Sequence, residues 1–191
     1  AWGVDLMSLS AHKIHGPKGV GVLYLRRGVQ LAPRQVGGEQ EGGVRPGTEN
    51  APGIAGLGAA AQLLSGAVEA NARVCELSDR LRTGIESISD ARVNTDPKTS
   101  VPHILSATFR GVRGEMLLHR LAQDGVLVST GSACHSHSVT PSHVLLAIGL
   151  LDADAKSTVR FSLSRLTTKS EIDATIHVLA PAVTELRALV R

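Results

Sequence analysis

The chain has 191 residues, of which 42% are hydrophobic and 19% are charged, and its formal net charge is +3. This length is sufficient to bury a substantial core, and the composition is typical of a globular protein. Aromatic residues make up 2% of the chain, the basic residues are scattered and no apolar run approaches the length of a membrane span, so we expect neither a nucleic-acid nor a membrane partner.

Three groups suited to binding and catalysis lie close together near the start of the chain. The segment SLSAHKIHGPKGVG contains a hydroxyl, an imidazole and an amine at Ser10, His12 and Lys13. Apolar runs on both sides of it predict two short strands, at residues 4–9 and 21–25. A lysine here is commonly a solvated side chain. If it is held out of water instead, its neutral amine forms a Schiff base with an aldehyde while Ser10 and His12 bind an anion.

A long segment at residues 35–50 is rich in glycine and polar side chains, and no apolar face repeats in it. We expect a long loop, and long loops inside compact domains are usually functional. Its glycines free backbone N–H groups next to Arg45 and Thr48, and this combination suits an anion.

Apolar residues recur at three- and four-residue spacing from Leu57 to Ile88, which predicts one long helix with a buried face. Cys75 falls beside that face, so we expect it to be an inert structural thiol. After residue 90, apolar runs alternate with amphipathic stretches, and this pattern predicts a small α/β domain. The predicted strands are residues 104–109, 126–128 and 158–163, and the predicted helices are residues 114–123, one opened by Thr140 and Pro141, and one opened by a capping box at residues 168–171.

The second cysteine lies in a run of small polar residues between a predicted strand and a predicted helix. The run reads STGSACHSHS, so the Cys134 thiol is expected to be accessible, and a neighbouring imidazole favours its thiolate form. An incidental surface cysteine is one alternative, and a zinc site is another, with Cys134, His135, His137 and His143 as ligands. Adjacent residues rarely bind one ion and the spacing matches no common zinc site, so we expect no metal. Because the two cysteines lie in such different settings, we expect a reducing, cytoplasmic location rather than a disulfide framework.

Five segments of the chain form a specific combination. They are SAHKIHGPKG, GGEQE, RPGT, GSACHS and VRFSLSR, at residues 10–19, 37–41, 45–48, 131–136 and 159–165. Together they resemble the cysteine desulfurases, which are pyridoxal-phosphate enzymes of the class V aminotransferase group. The order and intervals fit from end to end of this chain, but they match only the second half of the family's polypeptide.

The resemblance implies an α/β fold in which two domains follow one another. Residues 1–55 would form the end of the large cofactor-binding domain of a fold type I aminotransferase. Residues 56–90 would form a long linking helix, and residues 91–191 a small C-terminal α/β domain that carries the cysteine loop.

The resemblance also implies roles for four residues at the cofactor. Lys13 matches the Schiff-base lysine that holds pyridoxal 5'-phosphate and later moves the substrate's α-proton. Ser10 and His12 match positions that bind the cofactor phosphate. Thr48 matches a residue that reaches across a homodimer interface to the phosphate held by the partner subunit.

Two further residues are implied to act on the substrate. Arg160 matches the arginine that binds the substrate α-carboxylate, a task suited to its planar guanidinium. Cys134 matches the nucleophile that takes the sulfur of L-cysteine as a persulfide and passes it to an acceptor, such as a scaffold protein for iron–sulfur cluster assembly or another thio-acceptor.

Two departures from the family pattern limit these expectations. The residues that stack on the cofactor ring and face its nitrogen come from the family's first half, so we expect this chain to be part of a larger molecule that needs a companion chain or segment. His135 stands where many desulfurases have threonine or serine, and an Ala-Cys-His-Ser loop also resembles that of selenocysteine lyases, which act on L-selenocysteine. A non-catalytic dimerisation or scaffold module is a third possibility, although the retention of Lys13, Cys134 and Arg160 argues against decay.

Overall fold

The computed structural model describes residues 3–130 and 141–189. The chain separates into two compact units, Ala1–Val68 and Glu69–Arg191, whereas the predicted division at residues 55 and 90 stays a prediction. The strands are β1 (Leu6–Ser10), β2 (Gly21–Leu25), β3 (Ala91–Val93), β4 (Ile104–Phe109) and β5 (Thr158–Ser162), and the helices are α1 (Ala51–Gln62), α2 (Ala67–Glu86), α3 (Gly114–Gln123), α4 (His143–Ala147), α5 (Asp152–Lys156) and α6 (Lys169–Leu189). The predicted α/β class is confirmed.

In the first unit, β1 and β2 form an antiparallel pair whose register runs from Leu6 opposite Leu25 to Ser10 opposite Gly21. Both predicted strands are therefore present, with β1 ending one residue later than expected. The pair leaves large apolar side chains exposed, including Leu9 and Tyr24. Because a two-stranded sheet is at best marginally stable in water, this one needs further apolar packing.

The segment predicted as one long helix forms two helices, α1 and α2, which a 3₁₀ turn at Leu63–Gly66 joins. Serine and glycine in this turn favour helix less than their neighbours do, and the apolar spacing did not reveal the break. The predicted face of α2 is buried as expected through Val74, Leu77, Leu81 and Ile85. Cys75 is exposed, because it follows Val74 directly and falls outside that spacing.

The second unit is built on the antiparallel sheet β3-β4-β5. Side chains of β4, β5, α2, α3 and α6 share one core, whose largest fully buried members include Phe109, Leu81, Ile85, Leu105, Leu117, Leu121, Leu179, Val159 and Val183. The predicted strands at residues 104–109 and 158–163 and the predicted helix at residues 114–123 are confirmed. So is the capping box, since the Thr168 N–H donates to Glu171 Oε2 at 2.7 Å and the Glu171 N–H donates to Thr168 Oγ1 at 3.3 Å. Among the described residues, no helix is both long and apolar enough to cross a membrane.

Two local predictions in this unit are wrong. Residues 126–128 form no strand, and pairing starts only at Ser129, which makes an isolated antiparallel bridge with Arg160. Val126 and Val128 are half-buried and pack against the core, whereas Leu127 between them is 83% exposed. The run therefore alternates like a strand but has no described strand paired with it. The helix predicted to open at Thr140 and Pro141 is α4, which begins at His143 after Ser142, and Thr140 lies outside the described residues.

Asp154 joins α5 to the sheet through a carboxylate that is almost fully buried. It accepts hydrogen bonds from Arg110 Nε at 2.9 Å, Arg110 Nη2 at 3.0 Å and Arg92 Nη2 at 3.1 Å. The hydrogen bonds from Arg110, and then the charges of Arg110 and Arg92, hold the pKa of Asp154 below its usual range against the opposing effect of burial.

Asp154→Asn is expected to lower the free energy of unfolding by about 2 to 3 kcal/mol, because it removes the charge that two half-exposed arginines share. The folded-state pKa is depressed, so this contribution is complete above the unfolded value of about 3.9 and disappears as the pH falls through the folded value. Urea denaturation of both proteins at several pH values measures the difference. Asp152→Asn, at an exposed residue paired with Lys156 in the same helix, is the control and should change stability little. Equal losses from the two variants, or a loss that is independent of pH, would contradict the prediction.

Candidate functional site

Lys13 lies in a tight turn that follows β1 directly, and we call residues 10–16 the lysine turn. Ala11–Ile14 form a 3₁₀ turn in which Ala11 is completely buried. The Ala11 N–H donates to the Val20 carbonyl at 3.1 Å, and the Gly16 N–H donates to the Ala11 carbonyl at 2.8 Å. His15 adopts a left-handed conformation, with φ of 64°. The backbone of the turn is therefore held from both sides.

The side chains of Ser10, His12 and Lys13 are exposed at this turn. Within the described part of the chain, none of the three forms a side-chain hydrogen bond or an ion pair. A hydroxyl, an imidazole and an amine are thus available together for an external anion or aldehyde. Because Lys13 is exposed, the walls that would hold its amine out of water have to come from residues other than the described ones.

Thr48 belongs to the same unit and is also exposed. It stands two residues before Asn50, whose Oδ1 accepts the Gly53 N–H at 3.1 Å and caps α1. Helix α1 packs against the connection that follows the lysine turn, since a Cβ on Gly56 would lie 2.5 Å from Pro17 Cγ. The helix that starts after Thr48 therefore rests on the segment that carries Lys13.

Arg160 lies on β5 in the second unit, opposite Ser106 of β4. Its Nε is buried and has no hydrogen-bond partner, and it forms no ion pair with any described residue. A buried N–H without a partner costs about 1–3 kcal/mol, and a carboxylate ligand would supply the missing acceptor.

Ser129 forms a backbone bridge with Arg160, and it also precedes the segment that carries Cys134. The Arg160 N–H donates to the Ser129 carbonyl at 2.7 Å, and the Ser129 N–H donates back to the Arg160 carbonyl at 3.1 Å. Cys134 itself lies outside the described residues, as do His135 and His137 of the zinc alternative. The backbone five residues before the predicted nucleophile is thereby tied to the predicted carboxylate-binding arginine.

Of the predicted site residues, the structure brings Ser10, His12 and Lys13 together on one turn and gives Thr48 to the same unit. Arg160 belongs to the other unit. Sequence reasoning missed Gln40, which holds the loop before Thr48 through a hydrogen bond to Gly47. In the sequence, Gln40 is marked only as an amide side chain between two pairs of glycines, at residues 37–38 and 42–43.

Comparison with known proteins decides the family. The model of the family described as aminotransferase class-V matches residues 1–175. The chain belongs to the class-V aminotransferase family. A cysteine desulfurase of Trichormus azollae is 46% identical over 188 residues, which are 97% of this chain and 47% of the relative. The chain spans about half the length of the curated relatives it matches.

Solved structures of this family agree with the fold. A structure described as a NifS-like protein has a TM-score of 0.87 at 36% identity, over 96% of this chain and 47% of that chain. A structure described as SspA in complex with cysteine has a TM-score of 0.62 at 33% identity, over 86% of this chain and 45% of that chain. The aminotransferase-like α/β fold expected from the sequence is therefore confirmed for about half of such a protein.

Class-V aminotransferases and cysteine desulfurases depend on pyridoxal phosphate. The residues at the lysine turn fit that cofactor, because an amine stands beside a hydroxyl and an imidazole on a hydrogen-bonded turn, and none of the three has a side-chain partner among the described residues. The amine suits the cofactor's aldehyde, and the other two groups suit its phosphate.

Proposed function

We propose that this chain is the C-terminal half of a cysteine desulfurase, which converts L-cysteine to L-alanine and leaves a persulfide on Cys134. The observation that carries the proposal is Arg160, whose buried Nε has no partner among the described residues and whose strand is hydrogen-bonded to the start of the Cys134 segment. A site for an amino acid carboxylate and a sulfur nucleophile are thereby linked through one backbone bridge. The SspA structure, a relative of this fold, is described as a complex with cysteine.

Four residues of the first unit would hold pyridoxal 5'-phosphate. Lys13 binds it through the side-chain amine, while Ser10 and His12 donate hydrogen bonds to its phosphate. Thr48 of one protomer donates to the phosphate held by the other protomer of a homodimer. When bound, the cofactor supplies an electron sink that stabilises negative charge at the substrate Cα. Lys13 then takes the proton from Cα and returns it, which is general acid–base catalysis.

Two residues of the second unit act on the substrate. The Arg160 guanidinium binds the α-carboxylate with its planar fork and so orients the substrate thiol. The Cys134 thiolate attacks the substrate sulfur, a sulfur–sulfur bond forms as the carbon–sulfur bond breaks, and protonation at the carbon gives alanine. The persulfide then passes to a sulfur-acceptor scaffold protein for iron–sulfur cluster or other thio-cofactor assembly. A reducing, cytoplasmic environment keeps the thiol in its active state.

A companion chain or segment corresponding to the family's N-terminal half is part of this proposal. The exposed apolar side chains of β1 and β2 need a covering layer, and the exposed Lys13 amine needs walls. One companion that completes the large domain meets both requirements.

Selenocysteine lyase is a second candidate, favoured by His135 directly after the nucleophile. A non-catalytic dimerisation or scaffold module is a third candidate, and it is less consistent with the sequence, because such a module has no use for Lys13, Cys134 and Arg160 together.

The function is tested on the chain combined with its companion segment and supplied with pyridoxal 5'-phosphate. L-Cysteine is added together with a thiol reductant, which releases the persulfide sulfur as sulfide, and alanine, sulfide and the absorbance spectrum are followed. We expect a near-visible absorption band that shifts on addition of L-cysteine, with alanine and sulfide formed in equal amounts. L-Selenocysteine is run in parallel, and selenide release that far outpaces sulfide release would replace the desulfurase with the lyase. An assembly of the chain and its companion that binds the cofactor yet changes neither substrate would contradict both enzymes, whereas the chain alone is expected to be inactive.

A further inference from the structure

The loop before Thr48 is closed on itself, and we call residues 37–47 the clasp. Its two ends touch, since a Cβ on Gly37 would lie 2.8 Å from the Pro46 Cβ. A Cβ on Gly38 would overlap Gln40 Oε1, so glycine at this position makes room for the folded-back amide. The Gln40 Oε1 atom accepts the Gly47 N–H at 3.0 Å and closes the clasp.

The middle of the clasp reverses direction through left-handed backbone. Glu41, Gly42 and Gly43 have φ values of 51°, 66° and 77°. Glycine adopts this region at little cost, whereas a glutamate seldom occupies it. The reversal brings the chain back towards Gln40, which explains how an amide can bond seven residues ahead.

Gly47 is held at both of its peptide groups. Its N–H donates to Gln40, and its carbonyl accepts from Arg45 Nη1 at 3.2 Å. That carbonyl belongs to the peptide bond with Thr48, so these contacts fix where the Thr48 backbone begins. Asn50 fixes the other side by capping α1. Thr48 stands between two anchored points, and its own side chain is exposed and makes no hydrogen bond to a described residue.

We propose that Gln40 is a positioning residue that acts through Thr48, with Arg45 as its auxiliary. Gln40 closes the clasp so that the Thr48 hydroxyl is already ordered when it meets the cofactor phosphate. Preorganisation of this kind raises affinity, because the loop loses less conformational freedom on binding. The inference rests on the proposed function, in which Thr48 contacts a phosphate, and it adds a residue to which the family resemblance assigned no role.

A positioning role for Gln40 can be distinguished from a general structural role, because its hydrogen bond lies at the surface. The bond between Gln40 and Gly47 is solvent-exposed, and the clasp buries none of its residues. Loss of this hydrogen bond should therefore leave global stability nearly unchanged, since surface substitutions usually change the free energy of unfolding by about 0.5 kcal/mol or less.

The test is a double-mutant cycle on cofactor affinity with Gln40→Met, Thr48→Ala and the double variant. Each variant is combined with the companion segment, the cofactor is removed, and pyridoxal 5'-phosphate is titrated back while absorbance is followed. Gln40→Met is expected to weaken binding by about threefold to tenfold, the equivalent of one hydrogen bond, in the parental background and not in the Thr48→Ala background. Pyridoxal, which lacks the phosphate, should bind Gln40→Met and the parental protein equally. Gln35→Met, at an exposed glutamine just before the clasp, is the matched control and should bind like the parental protein.

Amide hydrogen exchange supplies a readout that does not involve the cofactor. The Gly47 N–H should exchange faster in Gln40→Met than in the parental protein, while the unfolding midpoint stays the same. Equal weakening of pyridoxal 5'-phosphate binding in both backgrounds, unchanged affinity in Gln40→Met, or unchanged Gly47 exchange would each overturn the positioning role. Failure of the proposed function would give a different result. The double-mutant cycle on cofactor affinity would behave as expected, but L-cysteine would give no sulfide.

Discussion

In the cofactor-supplied assembly of the chain and its companion, Lys13→Ala is expected to abolish both the near-visible absorption and sulfide release from L-cysteine. In the proposed mechanism the Lys13 amine both holds the cofactor and moves the α-proton, and proton transfer by a positioned group alone typically contributes a factor of 10² to 10⁴. The rate of sulfide release should therefore fall by a factor of about 10³ or more. Because the Lys13 side chain is exposed and has no partner among the described residues, the fold should be unaffected.

Lys18→Ala is the matched control for this experiment. Lys18 is an exposed lysine five residues further along, in the connection between the lysine turn and β2. Its replacement should leave the spectrum and the rate unchanged, so the comparison separates a specific amine from the loss of one surface charge. An unchanged spectrum in Lys13→Ala would refute the role given to Lys13.

The regular parts of the second unit could be predicted from sequence because their signals are local. Helix α3 has the predicted bounds, Gly114–Gln123, and its buried Leu117 and Leu121 come from the apolar spacing within ten residues. The strand β4 likewise keeps the predicted residues 104–109. Alternation along a strand and periodicity along a helix both reflect which side faces the core, so the sequence contains that information directly.

The predictions that failed depend on distant partners. Residues 126–128 are apolar enough for a strand, but a strand exists only where another strand pairs with it, and β5 reaches this segment at Ser129 alone. The break between α1 and α2 was hidden because apolar residues continue through the 3₁₀ turn. Neither outcome can be read from spacing within the segment itself.

The residues of the candidate site likewise divide into those that could be predicted from sequence and those that could not. Lys13, with Ser10 and His12, could be found from a compact run of chemically distinctive residues, and the structure places them on one turn. The clasp could not be found, because Gln40 meets Gly47 only after three left-handed residues turn the chain back. A hydrogen bond across a loop leaves no periodic trace in the sequence.

Cys134→Ala is expected to abolish sulfide release while leaving the cofactor absorption in place. In the proposed mechanism the two functions separate, because Lys13 of one unit would hold the cofactor while Cys134 belongs to the other unit. Removal of the proposed nucleophile should lower the rate by at least about a thousandfold, since the proposed mechanism gives the substrate sulfur to Cys134 alone. The measurements are the absorbance spectrum, sulfide release, and the intact mass after incubation with L-cysteine, which should show one added sulfur atom in the parental protein and none in the variant.

Cys75→Ala is the control, because Cys75 is the other cysteine of the chain and is exposed on α2. Exposure makes a thiol available to modification, but sulfur transfer also needs a thiolate placed beside a bound substrate. The backbone bridge between Ser129 and Arg160 ties the start of the Cys134 segment to the arginine proposed to bind the carboxylate. Cys75 lies on a helix with no such tie among the described residues. Cys75→Ala should therefore retain both sulfide release and the mass increase. Sulfide release at the parental rate from Cys134→Ala would exclude Cys134 as the nucleophile.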